Sequence, residues 1–198
     1  AGVGKTAEEI RYALEQGIYC FNIESVAELE FIDRVAGSLS DTAPIAVRIN
    51  PNVDAQTHKY ISTGKAENKF GIDYEATMRV YERASELPHI LIKGIQMHIG
   101  SQLTSVSPFV EAVERVIPMV KELQETHGIE FFSIGGGIGI VYEQALASGA
   151  PSWWSEHESP PLSPEVYSTK LRPLLEHLEL KIVLEPGRYM SGNAGVLL

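Results

Sequence analysis

The chain has 198 residues, 44% of them hydrophobic, enough to bury one substantial core without division into domains. Its formal net charge of -10 and pI near 5.1 argue against a nucleic-acid or anionic-membrane partner, since both would repel it at long range. No apolar run reaches the roughly 20 residues of a membrane-spanning helix, no charged-then-apolar targeting segment opens the chain, and no membrane partner is expected. Cys20 is the only cysteine and sits in the apolar run Ile18-Tyr19-Cys20-Phe21. It cannot form an internal disulfide, which points to a buried structural thiol in a reducing, cytoplasmic compartment.

Apolar runs of β type alternate with amphipathic helical ones along the chain. Thr6-Ala7-Glu8-Glu9 predicts a capping box and a helix over about 7–16, stopped by Gly17. Residues 18–23 read as a buried strand, and Ser25-Val26-Ala27-Glu28 as a second capping box that opens a helix burying Leu29, Ile32 and Val35. A strand over 45–49, a helix over 74–87, a strand over 91–99 and a long helix over 108–127 closed by Gly128 come next. Residues 131–134 form the following strand. A polar, proline-rich stretch over 143–161, of which 149–158 is read as a surface excursion, leads to Ser163-Pro164, which caps a helix running to about Leu178. Residues 181–184 make the fifth strand.

Five strands separated by helices predict a parallel sheet, because parallel neighbours need a crossover and the helix provides it. The fold class is therefore α/β. A doubly wound sheet announces itself by one glycine-rich turn after its first strand, whereas here every strand end carries a polar string, which favours a (β/α)8 TIM barrel. A barrel of that kind needs eight strands, and five leave two open edges. The chain also opens at Ala1 without methionine and ends on Gly195-Val196-Leu197-Leu198, so it is expected to be a single partial barrel domain over 1–198, an internal piece of something longer.

Four strings at strand ends describe a site: Asn50-Pro51, His98-Ile99-Gly100-Ser101-Gln102, Gly135-Gly136-Gly137-Ile138-Gly139-Ile140 and Glu185-Pro186-Gly187-Arg188. Taken singly, each has a plainer explanation. A lone histidine is more often a satisfied core residue, Ser101 is ordinary turn chemistry, three glycines can be a hinge, and Glu185 with Arg188 can be a surface ion pair. Their common position at strand ends outweighs those separate readings. A stacking imidazole, a glycine loop open to an anion, a carboxylate and a guanidinium suit a phosphorylated ring cofactor; no metal is expected.

These strings resemble the barrel-type (fold type III) pyridoxal-phosphate decarboxylases of amino acids over nearly the whole chain. The resemblance extends to Gly4-Lys5-Thr6, Glu9-Ile10, Phe21-Asn22, Ser25, Glu28-Leu29, Arg48-Ile49-Asn50-Pro51, Thr57-His58, Thr63-Gly64 and Asn68-Lys69-Phe70-Gly71-Ile72. Gln102 and Thr57-His58 look like the branch that acts on diaminopimelate rather than the ornithine or arginine branch. The resemblance implies that pyridoxal 5'-phosphate is the cofactor, that His98 stacks on its ring and that Gly135, Gly136 and Gly137, with Ser101, hold its phosphate. It implies that Glu185 accepts from the ring nitrogen, that Gly187 approaches the phosphate and that Arg188 meets a substrate carboxylate. Lys69 and His58 are read as ordinary loop residues. The implied reaction is loss of the D-centre carboxylate of meso-2,6-diaminopimelate to give L-lysine, in lysine biosynthesis, by a cytoplasmic homodimer.

The chain departs from the family pattern at two places. It lacks the family's Schiff-base lysine on the first barrel strand, for which Lys5 is no substitute, and the C-terminal β-domain with its cysteine segment. The 198 residues alone are therefore expected to be inactive. The competing readings are a related ornithine, arginine or carboxynorspermidine decarboxylase, or, for the chain alone, a non-catalytic cofactor-binding or assembly unit.

Overall fold

A computed structural model describes residues 1–53, 70–140, 162–192 and 194. Helix α1 (Ala7–Glu15), strand β1 (Phe21–Ile23), helix α2 (Val26–Ser38) and strand β2 (Ala43–Asn50) come first. Strand β3 (Ile72–Asp73), helix α3 (Tyr74–Ser85), strand β4 (Ile90–Met97), helix α4 (Ser107–His127) and strand β5 (Phe131–Ser133) follow. Helix α5 (Pro164–Leu175) runs into a 3-10 turn at Glu176–Leu178, and strand β6 (Lys181–Val183) and the short helix α6 (Gly187–Ser191) close the described chain. Every strand pair is parallel, in the order β1-β2-β4-β5-β6, with β3 beside the C-terminal end of β2.

The α/β class and the five-strand repeat are borne out, with two additions. β3 holds two residues, too few to show a period, and it forms because Ile72 falls opposite Ile49. The short helix α6 begins at Gly187, inside the string Glu185-Pro186-Gly187-Arg188. Gly128 closes α4 with φ 63, the left-handed conformation that glycine adopts without a Cβ penalty. The stretch over 143–161, Thr57-His58, Thr63-Gly64, Asn68-Lys69 and 195–198 lie outside the described residues.

The two capping boxes part company. At α1 both halves form: the Thr6 hydroxyl accepts from the Glu9 amide at 3.3 Å, and the Glu9 carboxylate accepts from the Thr6 amide at 2.8 Å. At α2 only Ser25 acts as a cap, accepting from the Glu28 amide at 3.1 Å. The Glu28 carboxylate instead accepts from the Glu24 amide at 2.7 Å and pairs with Lys5 Nζ at 2.7 Å. A nearly buried ammonium needs an anionic partner more than a helix end needs a second cap. Lys5 also donates to the carbonyls of Gly2 and Asn22, which fixes the N-terminal segment over β1.

Alternation sorts each strand into two faces. Phe21 and Ile23, Ile45 and Val47, Ile95 and Met97, and Phe132 form one set, and all are buried in one core with Leu29 and Ile32 of α2, Val80 of α3 and Phe109, Val113, Val116 and Val120 of α4. The opposite face is polar toward its C-terminal end. Between the faces, β2 and β4 slip register near Ile45 and Ala46. The buried Tyr81 hydroxyl repairs the slip by accepting from Val47 N–H at 3.3 Å and donating to Gly94 C=O at 2.8 Å. Replacing Tyr81 by Phe removes both of these buried bonds together. The expected loss is about 2 kcal/mol, read as a lower urea midpoint at unchanged slope in the complete natural polypeptide containing this chain.

Candidate active site

Parallel pairing stacks polar side chains in two successive layers on the face opposite the helix-packed core. Register aligns Arg48 with Gln96 and Gln96 with Ser133, while Asn22 opposite Ala46 brings Glu24 alongside Arg48. Two residues further along each strand direction come Asn50, His98, Gly135 and Glu185, since Val183 pairs with Ser133. Like parity on parallel neighbours sends side chains to the same face, so these are a lower and an upper layer of one site at the C-terminal edge of the sheet.

Glu185 links the layers. Its Oε1 accepts from Ser133 Oγ at 2.8 Å and from Gln96 Nε2 at 3.3 Å. Ser133 Oγ in turn accepts from the Gly135 amide at 3.3 Å, which turns the hydroxyl proton toward the carboxylate. At the other end of the lower layer Arg48 pairs with Glu24 Oε1 at 2.9 Å and lies over the Phe70 ring, 5.6 Å from its centroid. Two buried oxygens, Glu24 Oε2 and Gln96 Oε1, have no hydrogen-bond partner among the described residues.

His98 is mostly buried in the upper layer. The Gly136 amide donates to His98 Nδ1 at 3.4 Å, which leaves the ring proton on Nε2. Burial is the main cause of a lowered imidazole pKa, and the Arg48 charge lowers it further against opposing pulls from Glu185 and Glu24. The ring is therefore neutral near pH 7, an apolar face rather than a cation.

The triple glycine answers a packing demand and is not a hinge. A Cβ on Gly135 would overlap the Met97 carbonyl, one on Gly136 the Glu185 carbonyl, and one on Gly137 the Gly100 carbonyl. Gly135 and Gly137 also have positive φ, 72° and 114°. The loop is thereby pressed onto the ends of β4 and β6, and Leu103 N–H to Gly137 C=O (2.8 Å) and Gly139 N–H to Leu103 C=O (2.9 Å) tie it to the His98–Leu103 loop. Gln102 completes that tie: its amide accepts from Ile140 N–H at 3.1 Å and donates to Ile140 C=O.

The structure brings His98, Gly135, Gly136, Gly137 and Glu185 together, with Ser101 on the adjoining loop and Gly187 and Arg188 in the first turn of α6. Sequence reasoning singled out neither Glu24, Gln96 nor Ser133, and it quoted Arg48 only within a longer string. Their signal was present: Arg48, Gln96 and Ser133 each interrupt an apolar strand two residues before a strand-end site residue. Lys5 is committed to Glu28 and two carbonyls, in keeping with its exclusion as the covalent lysine.

Parallel strands, a packed glycine loop, a neutral imidazole and a braced carboxylate at the strand ends define a cofactor-binding domain of α/β type. Residues 1–192 match the pyridoxal-dependent decarboxylase, pyridoxal binding domain model, and the chain belongs to that family, whose cofactor is pyridoxal phosphate. It is 46% identical to the diaminopimelate decarboxylase of Pseudomonas aeruginosa and 44% identical to that of Haemophilus influenzae, in each case over 100% of this chain and 45% of the relative. Among solved structures it resembles diaminopimelate decarboxylase from Helicobacter pylori complexed with L-lysine, with 38% identity and a TM-score of 0.83 over 94% of this chain and 44% of that one. Diaminopimelate decarboxylase from M. jannaschii in co-complex with L-lysine aligns at 36% identity and a TM-score of 0.75 over 93% of this chain and 42% of that one. The chain thus spans less than half the length of the relatives it matches. No helix among the described residues is long and apolar enough to cross a membrane.

The lowered His98 pKa has a definite sign in stability. The folded state disfavours the proton, so His98 contributes its full share above the ordinary value of 6.5, and the share is lost as pH falls from there through the folded-state pKa. His98→Gln is expected to flatten that part of the curve, read as a smaller wild-type-minus-variant difference in urea midpoint at pH 5 than at pH 7.5.

Proposed function

We propose that the protein carrying this chain is a pyridoxal-phosphate-dependent carboxy-lyase that removes the D-centre carboxylate of meso-2,6-diaminopimelate to give L-lysine. The observation that carries the reading is the register-aligned pair of layers that puts Glu185, His98 and the glycine loop on one face at one sheet edge. Relatives 43–46% identical across the whole chain support the substrate.

The residues fit the cofactor by the chemistry of their donors and acceptors. Glu185 holds its Oε1 against two donors, and the carboxylate so fixed is suited to accept from a protonated ring nitrogen. The neutral His98 ring offers a flat face for stacking. The loop Gly135-Gly136-Gly137 brings its backbone close with no Cβ to intervene, and with Ser101 and Gly187 it would form the phosphate cradle, the Gly137 amide serving as donor because those of Gly135 and Gly136 are engaged by Ser133 Oγ and His98 Nδ1. Arg188 takes a substrate carboxylate, for which its planar fork is suited. Bound there, the cofactor supplies the electron sink for the pair left behind when carbon dioxide departs. Glu185 keeps the ring nitrogen protonated, and the packed loops exclude water from the lower layer. The protein works in the cytoplasm as a homodimer; the free thiol of Cys20 agrees with a reducing compartment.

The test is carbon dioxide release by the complete natural polypeptide, loaded with pyridoxal phosphate, from meso-diaminopimelate, L-ornithine, L-arginine and carboxynorspermidine. The first substrate is expected to be preferred, and preference for any other reassigns the branch. Glu185→Ala is expected to lower kcat by about 100-fold or more while changing cofactor affinity far less. Equal losses in the two would remove Glu185 from its role.

A further inference from the structure

The carboxylate at the centre of the site is held from one side only. Both donors that reach Glu185, Ser133 Oγ and Gln96 Nε2, converge on Oε1, and no described residue donates to Oε2. Ser133 is fully buried on β5, Gln96 is fully buried on β4, and the two are register partners, so their side chains rise to the carboxylate from directly beneath it. The Ser133 hydroxyl has its acceptor side engaged by Gly135 N–H, which commits its single proton to Glu185. Gln96 pays for its contact. With its amide nitrogen on the carboxylate, its own Oε1 is buried with no partner among the described residues, and flipping the amide would set oxygen against oxygen. A polar side chain that donates to a functional carboxylate while leaving its own oxygen stranded is placed for position rather than for stability.

We propose that Ser133 and Gln96 are positioning residues for Glu185: together they pin Oε1, set the carboxylate plane and leave Oε2 directed to the ring nitrogen of the cofactor. The proposal rests on the cofactor reading above. Through Gly135 N–H the same serine couples the carboxylate to the glycine loop, so the ring end and the phosphate end of the site share one hydrogen-bonded support.

The experiment begins with the cofactor-free complete polypeptide, so that it does not depend on turnover. In a high-resolution crystal structure, Glu185 is expected to occupy one rotamer in the wild type and in Ser133→Thr, which keeps the hydroxyl, and more than one in Ser133→Ala. Gln96→Met keeps the volume and removes both the donor and the stranded oxygen. It is expected to loosen Glu185 in the same way while leaving the melting temperature unchanged or raised, the opposite of what a structural role requires. In the loaded protein, Ser133→Ala is expected to lower kcat about tenfold, with cofactor Kd changed by less than about threefold, and to shift the 15N resonance of the ring nitrogen toward the unprotonated value. A single unchanged Glu185 rotamer in both Ser133→Ala and Gln96→Met overturns the proposal. So does a fall in kcat matched by an equal fall in affinity and melting temperature. If the rotamer result holds but Glu185→Ala leaves the ring-nitrogen resonance untouched, Glu185 is pinned for another ligand. The cofactor reading then fails, and with it the part of the proposal that aims Oε2 at the ring.

Discussion

In-register parallel pairing is the constraint on which this site depends. Because neighbouring parallel strands send residues of like parity to the same face, a polar residue at one position of β2, β4 or β5 finds polar neighbours only if the other strands carry them at the matching register. Arg48, Gln96 and Ser133 meet that condition in adjoining pairs, and the strand-end residues two positions on meet it again. A slip of one residue in any pair would send the polar set into the helix-packed core and the apolar set into the site. The Tyr81 hydroxyl is therefore more than a local repair. By closing the irregularity between β2 and β4, it keeps Arg48 opposite Gln96 beyond it.

Energetics give the polar layer a meaning that packing alone does not. Burying an ion pair such as Arg48 with Glu24 returns little net stability, since desolvation of both charges offsets most of their attraction. Leaving Glu24 Oε2 and Gln96 Oε1 without partners among the described residues subtracts more. An apolar layer of similar volume would do as well or better for folding. The polar layer is thus a cost that the core on the opposite face, from Ile45 and Ile95 to Phe109 and Val120, has to absorb. Such local conflict between stability and polarity is expected where a site must hold charge in a fixed direction.

What could be read from the sequence divides along the same line. Helices announced themselves through local chemistry: Thr6 with Glu9, Ser163 before Pro164 and Gly128 after His127 all act where their spacing placed them. Strands of three residues, such as Phe21–Ile23 and Phe131–Ser133, came out shorter than the apolar runs suggested, because an apolar residue beyond the ladder looks the same as one within it. β3 and α6 were too short to carry a period. The second capping box failed at Glu28 for a reason no local pattern holds, since its competitor is an ammonium 23 residues away in sequence. The site strings were legible as strand ends, but Gln96 and Ser133 were not, because their importance lies in a pairing between strands 37 residues apart.

The position of Glu185 explains why such bracing is needed. β6 is an edge strand of the described sheet, and Leu184, next to the carboxylate, is exposed. Beside it a cavity of about 280 Å3 opens between β6 and α5, lined by Leu171, Leu175, Ile182 and Leu184. A side chain at the end of an edge strand has neighbours on one flank only, and its backbone has more freedom than that of an inner strand. Support for the carboxylate therefore has to come from the inner strands, and it does: Ser133 lies on β5 and Gln96 one strand further in, on β4. Glu185 N–H also bonds back to the Gly135 carbonyl at 2.9 Å, so backbone and side chain are both anchored inward. The geometry of the carboxylate is in this way fixed by the inner strands of the described sheet and is independent of whatever covers the outer face of β6.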